Sequence, residues 1–405
     1  MKKSLLALAV FGAFSGAAFA QSNVQLYGVI DLGVTHFTGL APANGIVSAK
    51  NPNGAPAGTT TTSTGLSSGV QAGSRIGVKG TEDLGGGLKA FFDAETGFCP
   101  AGTNQDAGVG AAAAPSNFCT GGGFMQRQAF AGLSGNFGTL TLGRQYTLAF
   151  FNEANVDPFG YGLTGSISNL SLTGKGGASL LTAYYLARAN QAVTYATPNL
   201  SGFTGAVSYS FAPGASGTVP AATGANSNVP RSMALNGQYA NGPVMAGLNY
   251  TRVTNYYANP TSGVNDGAFK MWQLYGSYDF GIAKVSGIYE KANADYTSGS
   301  DKYWMLGAAF PVGPGAILAS FGQNKNDVTV GNSTPAGTAK VYAIGYTYSL
   351  SKRTNLYTSY AHVSNDAASA SLGGTAYTVG DSTDGFAGVN GQGSSGFALG
   401  IRHQF

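Results

Sequence analysis

The sequence predicts an all-β fold: a transmembrane antiparallel β-barrel of about sixteen strands, a size that leaves an aqueous channel, with its third outer loop folded inward. Three observations carry this expectation. Only 9% of the 405 residues are charged, against about 25% in soluble domains, yet no uninterrupted apolar run is long enough for a spanning helix. Short segments alternate apolar and polar residues with period two, as a strand must when one face meets lipid and the other water. The connections between these segments alternate long and short, which matches long outer loops on one rim and tight turns on the other.

In chain order, Met1-Lys-Lys-Ser4 is a basic head, Leu5 to Phe14 is apolar, and Ala18-Phe19-Ala20 is a small-x-small site. This is the pattern of a secretory signal peptide cleaved after Ala20. One barrel domain, residues 21–405, would remain, and loss of Lys2 and Lys3 would lower the formal charge from +4 to +2. A secreted β-sandwich or adhesin is the soluble alternative.

The alternation is clearest in five segments. Val24, Leu26, Ile30, Leu32 and Val34 share one face, and Gln25, Tyr27, Asp31 and Thr35 the other. Phe203, Val207, Tyr209 and Phe211 oppose Thr204, Ser208 and Ser210. Trp272, Leu274, Tyr278 and Phe280 oppose Gln273, Ser277 and Asp279. Tyr342, Ile344, Tyr346, Tyr348 and Leu350 form another such face, and Phe397, Leu399, Ile401, His403 and Phe405 the last. Gly-, Asn-, Asp- and Pro-rich turns fall at 82–87, 135–138, 198–202, 241–242, 279–281, 312–315 and 351–354. The long connections are 38–69, 99–123, 148–190, 213–229, 257–268, 293–300, 327–337 and 366–395. The Thr/Ser-rich tract 59–68 and the Gly/Ser-rich tract 385–396 both read as outer loop.

The connection 148–190 shows no clean period and carries Glu153 and Asp157. Some forty structureless residues are improbable in a compact domain, where medians are about 4–6. In a wide barrel such a loop can fold into the lumen and narrow it. Cys99 and Cys119 sit in Gly/Ala/Asn-rich sequence between two strand-like runs. An even count in an exported chain favours a disulfide over two free thiols, and the sequence leaves their geometry open.

Other chemistry finds little support. His36, His362 and His403 lack metal-ligand spacing, and Thr173-Gly-Lys-Gly-Gly177 lacks the phosphate-binding pattern and its strand–helix context. No cofactor, metal, nucleic-acid partner or catalytic residue is expected.

Val24-Gln-Leu-Tyr-Gly-Val-Ile-Asp-Leu-Gly33, Gly73-Ser-Arg-Ile-Gly-Val-Lys-Gly-Thr-Glu-Asp-Leu-Gly85, Arg127-Gln-Ala-Phe-Ala-Gly-Leu133, Leu142-Gly-Arg-Gln-Tyr146 and Gly400-Ile-Arg-His-Gln-Phe405 together resemble the Gram-negative general porins, in particular the β-proteobacterial trimeric group. The resemblance runs end to end outside the outer loops. It implies a homotrimer in the Gram-negative outer membrane, among lipid and lipopolysaccharide, that passes small hydrophilic solutes and anions. It also implies that arginines on the wall face acids on the inward loop. Carried over by motif, the arginines are Arg75, Arg127, Arg144 and Arg188. The family's loop Pro-Glu-Phe-Gly reads Asp157-Pro-Phe-Gly160 here, so Asp157 and Glu153 are alternative loop acids. Phe405 corresponds to the terminal aromatic residue read during membrane insertion.

A lipid-facing arginine near the midplane costs about 2–4 kcal/mol, whereas a lumenal one stays hydrated. Arg75 is out of phase with Ile76 and Val78, as a lumenal residue should be. Arg144 shares parity with Leu140 and Leu142, so either the strand bulges there or that wall meets a trimer neighbour. Four arginines against two loop acids leave a mild anion preference, softened by Asp31, Asp93 and Glu95 at lumenal parity. A sugar-type channel or barrel adhesin is the second reading, because the loop also holds Phe150, Phe151, Phe159, Tyr161, Tyr184 and Tyr185. A barrel hydrolase is a remote third.

Overall fold

The computed structural model describes residues 23–41, 59–101, 124–174, 187–213, 230–258, 265–328, 337–366, 377–380, 388–389 and 391–405. The expected signal peptide, Cys119, Tyr184 and Tyr185 lie outside them. Among the described residues the strands are β1 (Asn23–Leu40), β2 (Thr61–Ser68), β3 (Arg75–Gly85), β4 (Leu88–Gly97), β5 (Gln128–Gly135), β6 (Gly138–Tyr146), β7 (Arg188–Ala196), β8 (Phe203–Ser210) and β9 (Arg231–Asn241). They continue as β10 (Val244–Ala258), β11 (Asn265–Asp279), β12 (Lys284–Ala294), β13 (Asp301–Val312), β14 (Gly315–Asn326), β15 (Gly337–Ser349), β16 (Thr354–Asn365) and β17 (Ser394–Gln404).

Each strand pairs antiparallel with its sequence neighbour from β3 round to β17, and β17 closes on β1 from Val29↔Gln404 to Thr38↔Ser395. The seventeen strands make a sixteen-position wall because β2 and β3 share one place. The first half of β1 pairs with β3 (Val29↔Arg75) and the second half with β2 (Leu32↔Ser68). Residues 69–74 interrupt the shared strand. The Asp31 carboxylate fills the break, accepting from the Gln71 and Ala72 amides at 2.7 and 2.6 Å and from the Tyr357 hydroxyl at 2.6 Å.

The alternation predicts which face looks out. Leu26, Leu274, Ile344 and Leu399 are half exposed or more, while Asp31, Thr35 and Gln273 are buried on the inside. A hydrophobic exterior is stable here because the surroundings are hydrocarbon, and closure pairs the backbone groups that an open sheet edge would leave unsatisfied. The expected tight turns are all present, at the ends of β3, β5, β7, β9, β11, β13 and β15.

One expectation fails. Most of the tract 59–68 is strand β2 rather than loop. Threonine's β-branched side chain suits the pleat, and the second half of β1 supplies a pairing partner, so the segment needs no apolar face to be ordered.

The connection after β6 does fold inward. Its first nine residues form a helix, α1 (Leu148–Val156), with the Thr147 hydroxyl accepting from the Phe150 amide as N-cap. The buried residues Ala149, Asn152, Glu153 and Val156 follow helical spacing and lie against β9 to β12. Half of that stripe is polar because the wall behind it is polar: Asn152 donates to Gln273 at 3.1 Å, and Gln273 donates to the Ala149 carbonyl at 3.2 Å. From α1 the loop runs along the inner wall. Pro158 lies over Gly307 of β13 and Phe159 over Gly345 of β15. Thr164 bonds to Ser359 of β16 through both its amide and its hydroxyl. The Leu163 amide then reaches the Val70 carbonyl, at the break between β2 and β3, at 2.6 Å. A Cβ on Gly162 would sit 2.0 Å from the Gln71 carbonyl oxygen, so only glycine permits this approach. Phe159, Leu163, Ile167, Leu170 and Leu172 pack on Met271, Tyr275, Ile288 and Met305, making a hydrophobic core between loop and wall inside the barrel.

Candidate functional site

The described residues of this loop leave the wall from β3 to β7 uncovered. Along it a chain of side-chain contacts links five consecutive strand positions. Arg75 Nε lies 3.1 Å from Glu95 Oε2, and Arg127 Nε donates to Glu95 Oε1 at 2.7 Å. Arg127 Nη2 and Arg188 Nη2 both donate to the Tyr146 hydroxyl, at 2.7 and 2.8 Å. The Arg188 guanidinium also lies over the Tyr146 ring, 4.4 Å from its centroid. Tyr27 donates to Asp93 at 2.7 Å and to Glu95 at 3.2 Å, which holds the carboxylate from the β1 side.

Each position follows from strand parity. Glu95, on β4, alternates with the outward Phe92 and Ala94 side, and its register partners are Gly77 and Gln128. Arg75 opens β3 and Arg188 opens β7, directly beside Tyr146 at the end of β6. Glu95 is almost fully buried between two guanidiniums. Their charge-assisted bonds offset its desolvation and fix both arginines in one orientation. Three arginines against Glu95 and the neighbouring Asp93 leave this group net positive.

The structure therefore brings together Arg75, Arg127 and Arg188 on one stretch of wall. Arg144 behaves differently. The pairing of β6 with β7 shifts register between Gly143 and Gln145, so the strand does bulge. Arg144 donates through Nε to the Gln126 carbonyl and through Nη1 to the Asn190 side chain, and so pins β5 to β7. Arg402 was missed. It sits at register with Asp31, with Arg75 near enough to interact electrostatically, and its phase against the outward Ile401 was the available signal.

The loop acids were expected to face the arginines, and they do not. Glu153 is fully buried under the loop, accepting from the Ser171 hydroxyl at 2.6 Å and the Thr173 amide at 3.0 Å, in contact with Glu290 of β12. Burial, reinforced by Glu290, pushes its carboxyl well above the usual carboxylate range. Asp157, 6% exposed, accepts from the amides of Phe159, Tyr161 and Ile167 at 2.9–3.0 Å. Burial outweighs these bonds and pushes it up to about 6. Both acids organise the loop, and the acid that meets the arginines is Glu95 on the wall itself.

What α1 presents to the lumen is neutral. Its exposed positions are Phe151 and Asn155, followed by Gly160. Phe150 stacks on Tyr146 with centroids 4.4 Å apart and planes at 12°, and Phe151 meets the same ring edge-on at 5.6 Å. Tyr161 packs on Phe150 at 4.5 Å. Phe159 is buried, so among the described residues the expected aromatic set does not form one continuous track.

A model of the Gram-negative porin family matches residues 6–369. An outer membrane porin protein of Bordetella pertussis is 33% identical over 94% of the chain and 99% of the relative. Outer membrane porin protein 32 of Delftia acidovorans is 31% identical over the full length of both. Among solved structures, an anion-selective porin from Comamonas acidovorans superposes with a TM-score of 0.70 at 27% identity, over 95% of this chain and all of that one.

Proposed function

The chain belongs to the Gram-negative porin family, and on that premise we propose that its throat prefers anions because the charge a passing solute meets is cationic. The protein is an outer-membrane channel for small hydrophilic solutes. The observation that carries the preference is the uneven placement of charge. Arg75, Arg127 and Arg188 line this wall against two carboxylates, Glu95 and Asp93, while Glu153 and Asp157 are enclosed by the loop. In a narrow, partly dehydrated passage such a wall raises the local anion concentration. The likeness to an anion-selective porin supports the same reading.

Of the remaining assignments, the trimer, its surroundings, the lack of catalysis and the assembly signal rest on family membership, and the cleavage site and cysteine pair on the sequence patterns given above. The chain acts as a homotrimer among lipid and lipopolysaccharide, begins after Ala20 once exported, and carries no catalytic residue. Phe405, whose amide and carbonyl both bond to Gly28 at 3.1 Å, is the assembly signal. Cys99 pairs with Cys119 across an outer loop.

The experiment is a planar bilayer holding the purified protein between about 0.1 and 1 M KCl, where the Debye length is about 10 and 3 Å. A reversal potential of the sign set by chloride is expected. A potential of zero, or one set by potassium, removes the anion assignment.

A further inference from the structure

We propose that the throat carries a recognition site for small aromatic carboxylates, formed by Phe151 of α1 and the Arg127–Tyr146–Arg188 group on the adjoining wall. This deepens the anion reading given above and rests on it.

Phe151 is 46% exposed although it belongs to a helix whose other face is sealed against β9 to β12. It is a large apolar ring left in the water-filled part of the barrel. Its neighbour, the Tyr146 ring, has Phe150 stacked on one face and the Arg188 guanidinium within 4.4 Å, which must therefore lie on the other. Tyr146 is thus immobilised, and its hydroxyl anchors both Arg127 and Arg188. Phe151 and the two guanidiniums share this one phenol as their common contact, so a flat apolar surface and two cationic donors border the same spot.

The chemistry of those groups selects the ligand class. Guanidiniums only donate hydrogen bonds and match a carboxylate in fork geometry. A sugar would need acceptors for its hydroxyl protons beside the ring, and Glu95, the acid within this group, is already committed to Arg75, Arg127 and Tyr27. A ligand that is acceptor-only at one end and a planar apolar ring at the other satisfies both halves. Ring–ring contact of this kind favours an aromatic over an aliphatic ligand of the same charge by about 2- to 10-fold.

The test uses the whole protein in a planar bilayer and two probes of equal charge and similar size, benzoate and cyclohexanecarboxylate. Each is added to chloride-carrying channels, and the concentration that halves the chloride current is measured. The chloride-over-potassium preference is read from the same channels. Benzoate should half-block at about 2- to 10-fold lower concentration. That advantage should vanish in Phe151→Leu, which keeps the helix and the apolar volume, and persist in Phe151→Tyr, which keeps the ring. Equal block by the two acids with the chloride preference intact overturns the aromatic site and leaves the charge reading standing. Loss of the benzoate advantage in both variants alike also overturns it, since a ring at 151 would then not be the determinant. Benzoate discrimination in channels without chloride preference would support the ring site and overturn the charge reading instead.

Discussion

Two parts of the inner wall, β3 to β7 and β9 to β16, end with opposite roles. On the first, charge is left where water and solute can reach it, and one carboxylate holds the arginines in place. On the second, the inward loop covers the wall and the acids of both are enclosed: Glu153 touches Glu290, and Glu290 accepts from the Leu172 amide at 2.8 Å. Formal charges on the loop therefore say nothing about the field in the throat. The partners of each acid decide it, because a carboxyl enclosed away from any cation is either neutralised or satisfied by local donors, whereas Glu95 is bonded to two guanidiniums.

The largest expected effect breaks the first wall. Arg75→Ser with Arg127→Ser removes the two arginines bonded to Glu95, so on the proposed mechanism the chloride-over-potassium permeability ratio should fall to about one at 0.1 M salt. The change should shrink near 1 M, where the Debye length is about 3 Å. An unaltered reversal potential at low salt would show that these residues do not set the selectivity.

The next breaks the second wall. Gly162→Val places a side chain where the Gln71 carbonyl stands. Overpacking of this kind costs about 1–3 kcal/mol, which raises the unseated fraction of the loop about 5- to 150-fold. Open-channel current noise should rise accordingly, and a trace as quiet as the wild type's would mean that the loop is held elsewhere.

The sharpest contrast between the walls comes from three substitutions of equal formal charge. Glu95→Gln should increase anion preference, whereas Glu153→Gln and Asp157→Asn should leave the reversal potential close to wild type. Asp157→Asn should instead weaken the loop by about 1–3 kcal/mol, because an amide cannot accept from all three backbone donors. Equal shifts in all three variants would remove the distinction between the acid bonded to the wall arginines and the two enclosed by the loop.

The smallest effect is one of pH. Asp157 has its carboxyl raised by burial to about 6, above its ordinary value of 3.8. A raised carboxyl makes the seated loop most stable below about 4, with that stability lost as pH rises through about 6. Amide protection across residues 157–172, corrected for intrinsic exchange, should therefore increase as pH falls from about 7 to about 4. Protection that is flat or opposite in trend would mean that the three amide bonds hold Asp157 ionised.

Sequence alone determined the barrel, its outward face and the wall arginines. Period-two alternation states directly which side chains meet lipid, and the cost of a charge in hydrocarbon sends Arg75, Arg127 and Arg188 inward whatever the rest of the chain does. Tertiary structure decided everything that depends on what covers what. The helix α1 has no apolar stripe because the surface it meets offers hydrogen bonds as well as grease, so Asn152 and Glu153 stand where Leu or Val would be expected. The wall that receives the loop did leave a trace: in β11, Phe269, Met271 and Tyr275 are buried inside while Trp272, Leu274 and Tyr278 face out, and an inner face that apolar must be covered by something. Which acid confronts the arginines left no such trace. Glu95, Glu153 and Asp157 are alike as residues, and only the path of the loop encloses two of them and leaves the third between two guanidiniums.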